Sequence, residues 1–359
     1  MDGKVVTLPK RKERLSLREA YQDFRKDHED DPEISQETLS TYDQRLEPFI
    51  AFMAERGIED IADVGAQDVK AYFAELRTRE RIVAVVKDGE VVERKSTGKR
   101  LRPWTLRSHF LSLSAFFNYQ LKWRRIDEDP TATFSVGKDF KVPKTRMFEK
   151  FSPSVRQVQS VLDLFSKPDQ PGPTAAFRCV RNRTIVFLIA SKGFRRSDVL
   201  NALAGNVDLD NPKPTMRTWR KGQNRQLDEP RIVSLQPEHV RVLRAYLQAR
   251  AGLLESKRLP VDAGPLFITD MGEAFTKTAM RRLFETIRNA TGIRDLTPHS
   301  LRHFAASTLL KTPGVTPRQV QEMMGHSDIR TTLGYSHISI DEVREAEARA
   351  DLAGQLLRR

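Results

Sequence analysis

The chain has a single cysteine, Cys179, in 359 residues. That excludes an internal disulfide and fits a reducing compartment. It also removes the cysteine pairs that structural zinc sites use. No stretch reaches the roughly 20 consecutive apolar residues of a membrane span. The N-terminus has no apolar core of signal-peptide type, so no membrane partner is expected. Histidine is scarce as well. Of seven in the chain, His299, His303, His326 and His337 all fall within residues 296–337.

What the chain does have is positive charge. The formal net charge is +13, and its location matters more than its size. Residues 1–80 carry 13 Lys/Arg against 19 Asp/Glu, residues 81–250 carry 33 against 16, and residues 251–359 carry 15 against 13. The excess lies mid-chain, where it can form a continuous basic surface. A polyanion is the natural partner, because lysines and arginines displace condensed counterions from phosphates. Composition alone also fits a basic protein with no nucleic-acid partner.

Residues 1–15 form a short, basic, flexible N-terminus. Ser16 is placed to cap a helix to about His28, with Leu17, Ala20, Tyr21 and Phe24 on one face. Ser35 opens a longer helix to Arg56, which Pro48 is expected to kink or split. Ala66 to about Arg79 and Pro103 to Trp123 are further amphipathic helices. Between them, residues 81–102 hold two β-branched runs around Asp88-Gly89, a hairpin signal. A disordered loop is the alternative there. Residues 137–154 hold two prolines and mostly basic charge, the composition of a linker.

Ser154 to Phe165 and Ala175 to Ser191 read as helices, followed by Gly193-Phe194-Arg195-Arg196-Ser197-Asp198-Val199-Leu200. Thr215 to Trp219 and Arg231 to Leu235 read as strands joined through Arg220-Lys221-Gly222. Pro237 to Leu254 and Thr276 to Thr291 are amphipathic helices that supply core. Thr297-Pro298 starts another, with Thr at the cap and Pro at the first helical position. On it His299 and Arg302 are three residues apart and can point the same way. A helix from Pro317 to Met324 stops at Gly325, a natural left-handed terminator, and His326 follows directly. A short helix from Ile329 then presents Tyr335. Residues 341–357 form a last helix, apolar at Val343, Ala346, Ala350, Leu352 and Leu356, with no obvious place in a core already complete.

The H-x-x-R of His299 and Arg302, the sequence Met324-Gly325-His326 and a tyrosine nine residues later resemble the tyrosine recombinase (phage integrase) family. Gly193-Phe194-Arg195 resembles its first arginine motif, with Asp198 where Glu is more usual and Arg196 leaving the register slightly ambiguous. Lys221 matches its hairpin lysine. The resemblance implies a mainly α fold with a small antiparallel β-sheet. It implies a helical SAM-like core-binding domain (16–136, with a basic hairpin inserted at 81–102), a basic linker (137–154) and a mixed α/β catalytic domain (155–340). A C-terminal helix (341–359) would dock on a neighbouring subunit.

The same resemblance implies six catalytic residues. Arg195, Arg302 and His326 would hold the phosphate, Lys221 would act as general acid, and Tyr335 would be the nucleophile. His299 would accept the tyrosine proton or orient a neighbour. No cofactor is implied. A metal held by His299 and His303 is set aside, since no third ligand is evident. Lys99, Arg100, Arg107, Lys138, Lys141, Lys144 and Arg146 are the expected DNA contacts, the basic linker letting two halves close around a duplex. The expected partners are double-stranded DNA target sites, other copies of the chain in a tetramer on two such sites, and accessory proteins, in the cytoplasm at the nucleoid. Integration or transposition of a mobile element, chromosome resolution and plasmid maintenance share these residues. A type IB topoisomerase and a telomere resolvase use the same chemistry and stay open. A catalytically silent DNA-binding regulator is the other class, and six intact residues argue against it.

Overall fold

The computed structural model describes residues 14–31, 34–87, 90–142, 151–219, 229–261, 264–325 and 340–358. The chain divides into two compact units, residues 1–145 and 146–359.

The first unit is built on α1 (Leu17–Glu29), α2 (Gln36–Glu55), α3 (Ala66–Thr78) and α4 (Pro103–Lys122). Ser16 starts α1 as a capping box: its Oγ accepts the Glu19 N–H, and the Glu19 carboxylate accepts the Ser16 N–H. Leu17, Ala20, Tyr21 and Phe24 then face inward. Helix α2 runs unsplit through Pro48. The core between these helices is aromatic. Phe24, Phe49, Tyr72, Phe73, Phe116 and Phe117 are all buried, and Phe49 meets Tyr72 edge-on with ring centres 5.2 Å apart.

Two features depart from a plain bundle. The segment after α3 forms β1 (Glu80–Lys87) and β2 (Glu90–Arg100), paired antiparallel with Lys87 opposite Glu90, while the expected Asp88-Gly89 turn lies outside the described residues. Phe140, which the sequence reading places in a basic linker, is instead buried. It follows the one-turn helix α5 (Val136–Asp139) and stacks on Phe110 with centroids 4.5 Å apart.

The second unit contains α6 (Val155–Asp163), α7 (Pro173–Lys192), α8 (Arg196–Leu200), α9 (Pro237–Ser256), α10 (Lys277–Thr291), α11 (Pro298–Lys311) and α12 (Pro317–Met324). Strands β3 (Val207–Asp208), β4 (Thr215–Thr218) and β5 (Arg231–Ser234) pair antiparallel in that order. Helix α7 is the centre. Residues 185–190 are buried on every side, as expected of a helix enclosed by others.

The C-terminal helix is a correction. Its apolar residues do have a place in their own unit. It forms α13 (Ile340–Ala350) and α14 (Leu352–Leu357), and Leu352, Ala353 and Leu356 belong to the same core as α7. Ala346 and Ala350 pack with Leu309, Val315 and Met323. Asp351, with φ of +43°, makes the break between the two helices. The periodicity of one helix hid this, because the bend at Asp351 turns the last leucines toward a different surface. Among the described residues, no helix is long and apolar enough to cross a membrane.

Candidate active site

Helix α7 ends at Gly193, whose φ of +63° is a left-handed cap. The chain turns there and enters α8 through Arg195. The backbone N–H of Arg195 donates to the Asp198 carboxylate at 2.8 Å. Asp198 therefore serves as a local brace. A side chain one methylene shorter than Glu suffices for this. Burial raises its pKa from the ordinary aspartate value, while the Arg195 N–H and the guanidiniums of Arg231, Arg195 and Arg302 pull it back.

Thr297 caps α11, accepting the Ser300 N–H at 3.0 Å, with Pro298 in the first turn. Arg302 lies on the inner face of this helix and is only 6% exposed. Its Nη1 donates to the carbonyl of Gly193, and its Nη2 to Met324 O at 2.7 Å. Arg195 Nη2 donates to Gly325 O at 2.5 Å. Two arginines that are 107 positions apart in sequence thus meet at the end of α12. Gly325 closes that helix with φ of +61°. Arg195 Nη1 is buried and has no partner among the described residues. Arg196 points outward and is exposed.

Burial pushes the Arg302 pKa down to about 10, with Arg195 adding to the effect and Asp198 opposing it. That still leaves the guanidinium charged at neutral pH. A cluster of fixed cations around one buried carboxylate carries excess positive charge, and an anion is its natural partner.

His299 is exposed in the first turn of α11, one turn before Arg302. Its Nε2 lies 2.9 Å from His303 Nε2, so the two rings share one hydrogen bond. Lys221, His326 and Tyr335 lie outside the described residues. So do His337 and the expected short helix from Ile329.

Lys99 and Arg100 are exposed on β2. Arg107 lies over the Trp104 ring at 5.3 Å, and Trp104 is 62% exposed. Lys138 and Lys141 are exposed, and Lys144 and Arg146 lie outside the described residues.

One residue in the second unit has no role in the sequence reading. Arg231, at the start of β5, donates from Nη2 to Met323 O at 2.7 Å. Strand alternation carries the signal: Arg231 shares a face with buried Val233, while Ile232 between them is 54% exposed.

Comparison with known proteins agrees with this architecture. Residues 157–342 match the phage integrase family, and residues 22–85 match the N-terminal SAM-like domain of phage integrases. The tyrosine recombinase XerC of Pelobacter propionicus is 24% identical over 337 residues, covering 93% of this chain and 95% of that protein. The tyrosine recombinase XerD of Staphylococcus haemolyticus is 26% identical over 315 residues, covering 87% and 91%. Among solved structures, the XerH site-specific recombinase bound to difH substrate gives a TM-score of 0.57 at 18% identity, over 92% of this chain and 81% of that one. The Tn1549 transposon integrase in complex with circular intermediate DNA gives 0.56 at 16% identity, over 92% and 98%. The chain belongs to the phage integrase family, the tyrosine-type site-specific recombinases.

Proposed function

We propose that this recombinase cuts and rejoins double-stranded DNA through a covalent 3′-phosphotyrosyl intermediate, with Tyr335 as nucleophile. The observation that carries the reading is the meeting of Arg195 and Arg302 at the α12 terminus, with Arg195 Nη1 left without a partner among the described residues. Both are planar, permanently charged donors suited to the non-bridging oxygens of a phosphodiester. His326 adds a hydrogen bond to the same oxygens.

The Tyr335 oxygen attacks phosphorus, and the bond from phosphorus to the 5′ oxygen breaks. A phenol of pKa about 10 is ionised to about one part in a thousand at pH 7, a cost of about 4 kcal/mol if paid before attack. The proton therefore leaves in the transition state, to His299 or to a neighbour that His299 orients. Lys221 gives a proton to the departing 5′ oxygen. One phosphoester replaces another, so a 5′ hydroxyl reverses the step without ATP. The basic hairpin and the N-terminus of α4 contribute backbone contacts through Lys99, Arg100 and Arg107, with Lys138, Lys141, Lys144 and Arg146 beyond them. It is proposed to act as a tetramer on two DNA sites, in the integration or transposition of a mobile element. The DNA-bound state of the XerH and Tn1549 integrase structures supports the DNA partner.

The test uses a nicked duplex whose cleavage releases a short fragment and traps the adduct. Wild-type chain is expected to become covalently attached, stable to detergent. Tyr335→Phe is expected to bind the duplex and give no adduct. An adduct that persists in this variant moves the nucleophile elsewhere.

A further inference from the structure

Three guanidiniums rest on three consecutive carbonyls. Arg231 donates to Met323 O at 2.7 Å, Arg302 to Met324 O at 2.7 Å and Arg195 to Gly325 O at 2.5 Å. These carbonyls lie at the end of α12, where the intrahelical donors have run out and the negative end of the helix dipole emerges. Two of the three arginines are assigned to phosphate above. We propose that Arg231 is a positioning residue for strand cleavage. It fixes the α12 terminus against which Arg195 and Arg302 are set, and with it the point where the chain departs toward His326 and Tyr335. This rests on the reading of Arg195 and Arg302 as the phosphate-binding pair.

The geometry favours positioning over direct contact with DNA. Arg231 Nη2 is used by Met323 O, and its Nη1 lies where a Cβ on Gly325 would fall. Both arms of the fork thus face the helix terminus. Gly325 is required twice over: for its left-handed φ of +61°, and because any side chain would displace this guanidinium. The base of Arg231 is held firmly. Its backbone pairs with Thr218 in the β4–β5 ladder, and β5 is the strand entered from the connection that contains Lys221. Arg231 therefore ties the lysine-bearing hairpin to the end of α12. Asp198 and Glu322 supply the countercharge that keeps a buried cation there. A lysine at this position can reach one carbonyl as a point charge but cannot brace the terminus with a planar fork.

The test measures single-turnover cleavage of the nicked duplex at saturating protein, beside DNA affinity. Arg231→Met is expected to slow cleavage about 100-fold while affinity changes less than about threefold. Arg231→Lys is expected to recover about tenfold of that loss. The double variant Arg231→Met with Gly325→Ala is expected to be no slower than the worse single variant, because both act on one contact. A wild-type cleavage rate in Arg231→Met, an equal loss of affinity and rate, or fully additive losses in the double variant would each overturn the proposal. If Arg231→Met does not fold, Arg231→Lys decides: about a tenfold slowing at unchanged affinity supports the proposal, and a wild-type rate overturns it. Tyr335→Phe runs in the same assay. An adduct there defeats the parent reading, whatever Arg231 does.

Discussion

Lys192 Nζ lies 2.6 Å from a carboxylate oxygen of Glu347, and the Ser234 hydroxyl donates to that same oxygen at 2.5 Å. The contact joins α7, β5 and α13. Lys192 is only 4% exposed, and burial pulls its pKa below the ordinary lysine value while Glu347 opposes the shift. Glu347→Gln leaves a buried ammonium without its counterion, and a loss of about 3–5 kcal/mol is expected. Urea unfolding of the full chain measures it. Replacing both partners, with Lys192→Met and Glu347→Leu, is expected to restore most of the stability.

The tail contributes to the core as well as to this ion pair. Leu356 is 3% exposed within the cluster around α7. Leu356→Ala is expected to cost about 2–5 kcal/mol. Deleting residues 341–359 is expected to lower the melting temperature of the chain, whereas a tail with no place in the core would leave it unchanged. An unchanged melting temperature would mean that the tail does not pack as described.

The first unit carries a pH-sensitive histidine. His109 is buried, and its Nδ1 lies 3.1 Å from the Tyr72 hydroxyl. Burial, and then the charge of Arg45, pushes its pKa down from 6.5 to about 4. The unfolded chain therefore binds a proton at a pH where the folded chain does not. Stability is fully present above about pH 6.5 and falls as the pH drops toward 4, by roughly 3 kcal/mol. Tryptophan emission from Trp104 and Trp123 follows the unfolding, and His109→Leu is expected to flatten the profile.

Salt dependence tests the hairpin. Each phosphate contact contributes about 0.9 to the slope of log affinity against log salt. Lys99→Ala with Arg100→Ala is expected to reduce that slope by about two and to leave folding unchanged. An unchanged slope removes both residues from the DNA interface.

Arg302→Lys keeps the charge and loses the fork that spans the Gly193 and Met324 carbonyls. Cleavage is expected to fall about 100-fold or more with affinity nearly unchanged. Equal losses in both would make Arg302 a purely structural arginine.

Much of this was legible beforehand where one rule acts alone. Ser16, Thr297 with Pro298, and Gly325 after α12 each mark a helix end by local chemistry, and each end falls there. The hairpin followed from two β-branched runs around Asp-Gly. What escaped depended on distant partners. Phe140 looks like linker until Phe73 and Phe110 are seen to surround it. Arg231 looks like an ordinary strand residue until α12 arrives from 92 positions away. The tail looked surplus because the surface that accepts Leu352 and Leu356 is assembled from several elements, none of them adjacent in sequence.

That burial limits how copies of this chain can associate. A tail that completes its own interior cannot simply reach out to a neighbour, because doing so would open a greasy slot behind it. Reciprocal exchange around a closed ring avoids this, since each vacated slot is refilled by an identical segment and the net change in buried area is small. An open chain of copies always leaves one slot empty at its end. Symmetry, rather than affinity at any one contact, would then decide whether a tail could leave its own slot at all.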